Sequence, residues 1–155
     1  VLSAVTSWSE RLTELGIELP AVVPPLAAYV PAVQTGSLVY TAGQLPMVAG
    51  KLTHSGKVGA DVTAEDAADA ARTCALNALA AIDSLVGVDA IKRVVKVVGF
   101  VASAPGFTGQ PAVINGASNV LGDIFGDAGK HARSAVGVAE LPLGAAVEIE
   151  LIVEV

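Results

Sequence analysis

The side chains that most enzyme chemistry relies on are scarce in this sequence. There is one cysteine, Cys74, and there are two histidines, His54 and His131, far apart along the chain. A lone cysteine closes no internal disulfide, and nothing points to an oxidising compartment. No HExxH or CxxC spacing is present, so no metal site is expected, and each histidine reads as a surface loop residue. Neither GxxxxGK(S/T) nor GxGxxG occurs, which removes the usual cradles for nucleotide phosphates. The GxSxG elbow of serine hydrolases is missing as well. No cofactor is expected.

Charged residues make up 15% and aromatic residues 4%, against 53% hydrophobic residues that are mostly alanine and valine. Small apolar side chains suit close packing of helix on sheet, and a charge-poor surface suits burial between subunits. The net charge of −6 argues against a nucleic-acid partner, which calls for basic patches. Lys92, Arg93 and Lys96, the one local basic cluster, read as decoration of a strand. Mean hydropathy is +0.64, yet no stretch offers the roughly 20 uninterrupted apolar residues of a membrane span. Glu148, Glu150 and Glu154 interrupt the apolar tail, and Pro24, Pro25 and Pro31 interrupt the segment from Ala21 to Val33. Val1 to Arg11 lack a basic segment followed by an apolar core, so no secretory signal is expected and the placement is cytoplasmic. The 155 residues suffice for one structural domain.

Hydrophobic periodicity gives the order of elements. Ser3 to Leu15 reads as an amphipathic helix with Val5, Trp8, Leu12 and Leu15 on one face and Gly16 as its stop. A proline-rich connector follows to Pro31. Ala32–Gln34 and Leu38–Ala42 read as strands around a Thr35-Gly36-Ser37 turn, and Gly43 to Gly59 as a long loop or hairpin excursion. The clearest helix runs from Ala64 to Val86, capped by Thr63 with Asp66 three residues on. Its apolar stripe is Ala71, Cys74, Ala75, Ala78, Leu79, Ile82 and Leu85, which makes Cys74 a small buried hydrophobe. Ile91–Ser103 is β-branched and extended. Gln110–Phe125 is helical, and Ala132–Ala139 and Ala145–Val155 are strands.

In the last strand Val147, Ile149, Leu151 and Val153 alternate with Glu148, Glu150, Ile152 and Glu154. The expected architecture is α+β, a mixed sheet with two helices on one face. The opposite face is left partly bare, with Val94, Val98 and Ile152 among its residues. Closing that face against other subunits puts pockets at subunit boundaries.

Arginine and carboxylate remain as chemistry-bearing groups. Arg11 and Arg72 lie on polar helical faces, where a solvated charge is the default. Arg133 opens an otherwise apolar strand, and its guanidinium there needs a partner. A bound carboxylate is one candidate; an acid of the last strand is the other.

The stretch His131-Ala132-Arg133-Ser134-Ala135-Val136, continuing through Glu140-Leu141-Pro142 to Val147-Glu148-Ile149-Glu150, resembles the closing signature of the RidA (YjgF/YER057c/UK114) family. Ala28-Tyr29-Val30, Tyr40-Thr41-Ala42-Gly43-Gln44-Leu45-Pro46 and Val113-Ile114-Asn115 are similar to its upstream motifs, in the same order. The resemblance covers residues 28–155, leaving 1–27 as an N-terminal helix and connector. It implies a chorismate-mutase-like fold of the bacillus type, a homotrimer, and clefts between subunits. For active members it implies hydrolysis of 2-imino or 2-enamino acids to 2-keto acids and ammonia. Arg133 would hold the substrate carboxylate and Glu148, close to it, would act on the water. Tyr29, Ala42, Gly43, Asn115 and Ala135 would shape the pocket. The chain departs from the pattern at Ala42, where many such members carry serine, and at Ala135, where several carry cysteine. A non-catalytic trimer binding small carboxylate or carbonyl metabolites is the alternative. A ribonuclease or translation-inhibitor role fits the acidic charge poorly.

Overall fold

The computed structural model describes residues 7–25 and 27–155. Val5 and the start of the expected first helix lie outside the described residues. From Ser7 the helix α1 (Trp8–Glu14) begins where the Ser7 side chain accepts from the Glu10 N–H. Two strands follow, β1 (Ala32–Thr35) and β2 (Leu38–Thr41), then a short hairpin of β3 (Met47–Val48) and β4 (Lys51–Leu52). This hairpin is the excursion expected between Gly43 and Gly59. Its two turn residues, Ala49 and Gly50, both adopt positive φ, the backbone that a tight two-residue hairpin requires.

The long helix α2 (Ala64–Val86) is capped by Thr63, whose hydroxyl accepts from the Asp66 N–H at 3.1 Å. After it come β5 (Arg93–Ala102), α3 (Gln110–Phe125), β6 (Ala132–Val138) and β7 (Val147–Glu154). The five long strands form one mixed sheet in the order β1-β2-β7-β5-β6. Only β5 and β6 are parallel, and α3 makes the crossover between them, as a parallel pair requires. The fold is α+β, with the chorismate-mutase-like arrangement of a mixed sheet backed by two helices.

The core lies between the sheet and α2 and α3. Val147, Ile149, Leu151 and Val153 of β7 are buried beneath the helices, while Glu148, Glu150, Ile152 and Glu154 face the other way, half-buried. Two expectations need correction. Val94 is fully buried on the helix side, not on the bare face. A bulge between Val94 and Lys96 adds a residue to β5 and reverses the side on which Val94 falls. Leu85, in the last turn of α2, is 45% exposed; Val86 packs against the core instead. Cys74 is buried as expected.

The alanine-rich face of α2 lets the helices approach very closely. A Cβ on Gly116 would sit 1.9 Å from the Ala68 carbonyl oxygen, and one on Gly99 would sit 2.4 Å from Ile114. The first helix is anchored from outside this layer. The Trp8 indole donates to the Ile91 carbonyl at 2.6 Å and meets Phe125 edge-on at 5.0 Å. Asp89 accepts from both the backbone and the hydroxyl of Ser9, at 2.8 and 2.7 Å.

Two helical glycines test the close approach. Gly116→Ala should destabilise the protein by about 1–3 kcal/mol in denaturant unfolding, because backbone must move to admit a methyl. Gly122, on the same helix, has nothing near its missing Cβ. Gly122→Ala should therefore gain about 0.5–1 kcal/mol from restricted unfolded-state freedom. Equal effects of the two substitutions would contradict the packing.

Candidate functional site

Arg133 lies on the helix side of the edge strand β6. It is paired in register with Val97, which pairs in turn with the buried Leu151. Its guanidinium reaches α3, where one nitrogen donates to Asn115 Oδ1 at 2.8 Å and to Ser118 Oγ at 3.2 Å. Asn115 and Ser118 are three residues apart, so one helix face presents both. Ser118 continues the chain of contacts to His131 Nε2 at 2.9 Å, and His131 Nδ1 lies 2.6 Å from the Gly129 carbonyl oxygen. A carbonyl can only accept, so Nδ1 carries a proton, and in the neutral ring Nε2 accepts from the Ser118 hydroxyl. The same oxygen then accepts from Arg133. His131, in the loop before β6 as expected, is thus a half-buried bracing residue and not a surface one.

Every partner of Arg133 in this network is neutral. Among the described residues no carboxylate lies within ion-pair distance of it, so the acids of the last strand are not its partners. A cation held in place by neutral acceptors keeps its charge available to a ligand. Ala135, two residues along on the same face, packs against the core through a methyl only.

Glu148 belongs to a second group. Thr41, at the end of β2, accepts the Leu151 N–H on its hydroxyl at 2.9 Å. Gln44 then exchanges two backbone hydrogen bonds with Ile149, at 2.7 and 3.0 Å. These clamps press the intervening Gly43 against the Glu148 carboxylate; a Cβ there would fall 2.9 Å from both Cδ and Oε2. A side chain at position 43 would make the carboxylate swing aside. Ala42 donates its N–H to the Pro31 carbonyl at 2.8 Å, and Tyr29, 52% exposed, lines the same cleft as Gly43. Burial, and secondarily the charge of Glu150, raise the Glu148 carboxyl above the usual carboxylate range. Burial and the charge of Glu148 push the Cys74 thiol well up, which keeps it inert.

The structure therefore gathers the expected residues into two groups. Arg133, Asn115 and Ala135 form one; Glu148, Gly43, Ala42 and Tyr29 form the other. Glu148 is in register with Phe100, three residues along β5 from the Val97 that pairs with Arg133. An odd step reverses the face, so within one chain the arginine and the glutamate are on opposite sides of the sheet. Their expected closeness does not hold inside a single subunit. Sequence reasoning missed Ser118, His131 and Gln44. The spacing of Ser118 from Asn115 was a usable signal; the register that brings Gln44 beside Ile149 was not visible.

This geometry matches a known group of proteins. The family model described as "YjgF/chorismate_mutase-like, putative endoribonuclease" matches residues 9–155. The chain belongs to the YjgF (RidA) family. Protein TCP17 of Trypanosoma cruzi is 46% identical over 148 residues, covering 93% of this chain and 91% of its own. The crystal structure of Atu1372 from Agrobacterium tumefaciens is 48% identical and superposes with a TM-score of 0.87 over 96% of this chain and 92% of that one. E. coli TdcF, solved with bound serine, is 28% identical with a TM-score of 0.60, covering 88% of this chain and 92% of that one.

The raised carboxyl of Glu148 gives a pH signature. A folded state that binds a proton more tightly than the unfolded chain loses stability as pH rises through the folded value. Below about pH 4, where the unfolded carboxylate is itself protonated, that contribution is fully present. Glu148→Gln removes it. Melting temperatures should show the variant at least as stable as wild type at pH 7, with the gap closing near pH 4. A variant less stable than wild type at pH 7 would mean that the ionised carboxylate has a stabilising partner.

Proposed function

We propose that this protein hydrolyses small 2-imino or 2-enamino acids to 2-keto acids and ammonia, in clefts shared between the subunits of a homotrimer. The observation that carries the reading is Arg133, a guanidinium braced by Asn115 and Ser118 with no carboxylate among the described residues at ion-pair distance. Its planar fork suits a substrate carboxylate. The serine bound by the relative TdcF is a ligand of the same class. Glu148 sits on the other sheet face, so a second copy is needed to bring a glutamate to the substrate held by Arg133.

The reaction asks little of the site. The imine carbon is already electrophilic, and holding the carboxylate fixes the carbon against a water. The imine reacts in its protonated form: as the water oxygen bonds to carbon, Glu148 accepts a water proton and the C=N electron pair moves to nitrogen, giving a carbinolamine. Glu148 then gives that proton to nitrogen and takes the hydroxyl proton as the C–N bond breaks, releasing ammonia and leaving the keto acid. A carboxyl raised by burial is the stronger base and remains able to give the proton back.

The alternative, a trimer that binds such carboxylates without turning them over, draws on Ala42 and Ala135, which contribute no hydroxyl or thiol. The net charge of −6 disfavours nucleic acid as the ligand.

Light scattering at micromolar concentration should give a trimer, and a monomer would remove the shared cleft. Keto acid and ammonia release from an imino acid made in place by an amino-acid oxidase is the assay. Glu148→Gln should fold, bind 2-ketobutyrate, and lose roughly 10²–10⁴-fold in hydrolysis. Arg133→Lys should weaken 2-ketobutyrate binding by on the order of 1–3 kcal/mol. Tight binding with no acceleration by wild type would establish the binder.

A further inference from the structure

We infer that His131, acting through Ser118, sets how tightly Arg133 holds a carboxylate, with the protonated imidazole giving the tighter grip. The inference rests on the carboxylate-site reading above and adds its regulation.

Ser118 Oγ stands between two basic side chains, 3.2 Å from a guanidinium nitrogen of Arg133 and 2.9 Å from His131 Nε2. A hydroxyl has one hydrogen to give and two lone pairs to offer. With the ring neutral, that hydrogen goes to Nε2 and one lone pair accepts from Arg133. The other ring nitrogen, Nδ1, is held on the Gly129 carbonyl at 2.6 Å. Protonation makes Nε2 a donor, so the change falls on Ser118. Its oxygen then accepts from both sides and its hydrogen is released. A free hydroxyl donor now stands beside the guanidinium, and a second positive charge stands behind it. Both favour an anion at Arg133.

No acid offsets that added charge. Among the described residues no carboxylate lies at ion-pair distance of His131. In the turn that carries Gly129, Asp127 is paired with Lys130 at 3.1 Å, and both side chains are exposed. The one ionisable residue of α3, Asp123, lines the groove towards α2. On β5, Lys96 is in register with Ala132 and shares its face, opposite to that of His131 and Arg133. Arg93 precedes the buried Val94 and falls on that opposite face too.

The charge that His131 meets is therefore Arg133. A protonated ring behind an unpaired guanidinium is disfavoured, and a bound carboxylate relieves the repulsion. Proton and ligand thus bind cooperatively, each strengthening the other by the same factor.

Calorimetric titration with 2-ketobutyrate at about pH 8 and about pH 5.5 tests the inference, because these values span the range in which histidine ordinarily changes charge. The ligand's own carboxyl stays ionised throughout. Wild type should bind on the order of tenfold more tightly at the lower pH, within the usual span of coupling between sites. His131→Gln should lose most of that gain. Glu148, whose carboxyl is raised by burial, is intact in both proteins, so the difference between them belongs to His131. Proton NMR of wild type gives the reciprocal reading and does not depend on how well the variant folds. The chain has two histidines, and His54 serves as the control. Saturation with 2-ketobutyrate should raise the titration midpoint of His131 alone. Equal tightening in variant and wild type, wild-type binding that ignores pH, or a His131 midpoint unmoved by ligand would overturn the inference and leave the carboxylate site standing. No binding at either pH would remove the carboxylate site itself, and the coupling with it.

Discussion

Alternation along β7 is the constraint from which most of this molecule follows. A strand can give only every second residue to each face. Here Val147, Ile149, Leu151 and Val153 go to the helices and are buried. Glu148, Glu150, Ile152 and Glu154 go to the face that no helix covers. The strand sits at the centre of the sheet, between β2 and β5, so its parity is imposed on its neighbours through their register. Arg133, two strands away, inherits the helix side, and Glu148 cannot follow it there.

Much of this was legible in the sequence because periodicity is a direct consequence of burial. The bounds of α2 came from its apolar stripe and its Thr63 cap, and those of α3 from its apolar periodicity. The charged alternation of β7 gave its two faces. What the sequence concealed depended on contacts between distant segments. The bulge at Val94 and Lys96 has no compositional mark, and it alone moved Val94 into the core. The hairpin from Met47 to Leu52 is too short to carry a period.

The site divides in the same way. Arg133 stood out because a guanidinium in an apolar strand needs an explanation, and Glu148 because the alternation pointed it away from the core. Their placement on opposite faces needed the β5–β6 and β5–β7 registers together. The support of Arg133 by Ser118 and His131 needed the fold, since a histidine before a strand looks like any loop residue. Neutral bracing is what makes this arginine available: a guanidinium already paired with an acid would have little left for a ligand.

On this account the two groups work together only across a subunit boundary. That claim is tested most directly by mixing two inactive proteins. Arg133→Ala lacks the carboxylate anchor and Glu148→Gln lacks the base, so each alone should be inactive on imino acids. Mixed trimers, isolated with two different tags after joint refolding, contain one boundary where an intact Arg133 meets an intact Glu148. In the isolated mixed trimers about one site in three should recover, a direct consequence of cyclic symmetry. Mixed trimers with no more activity than either parent would contradict the shared site.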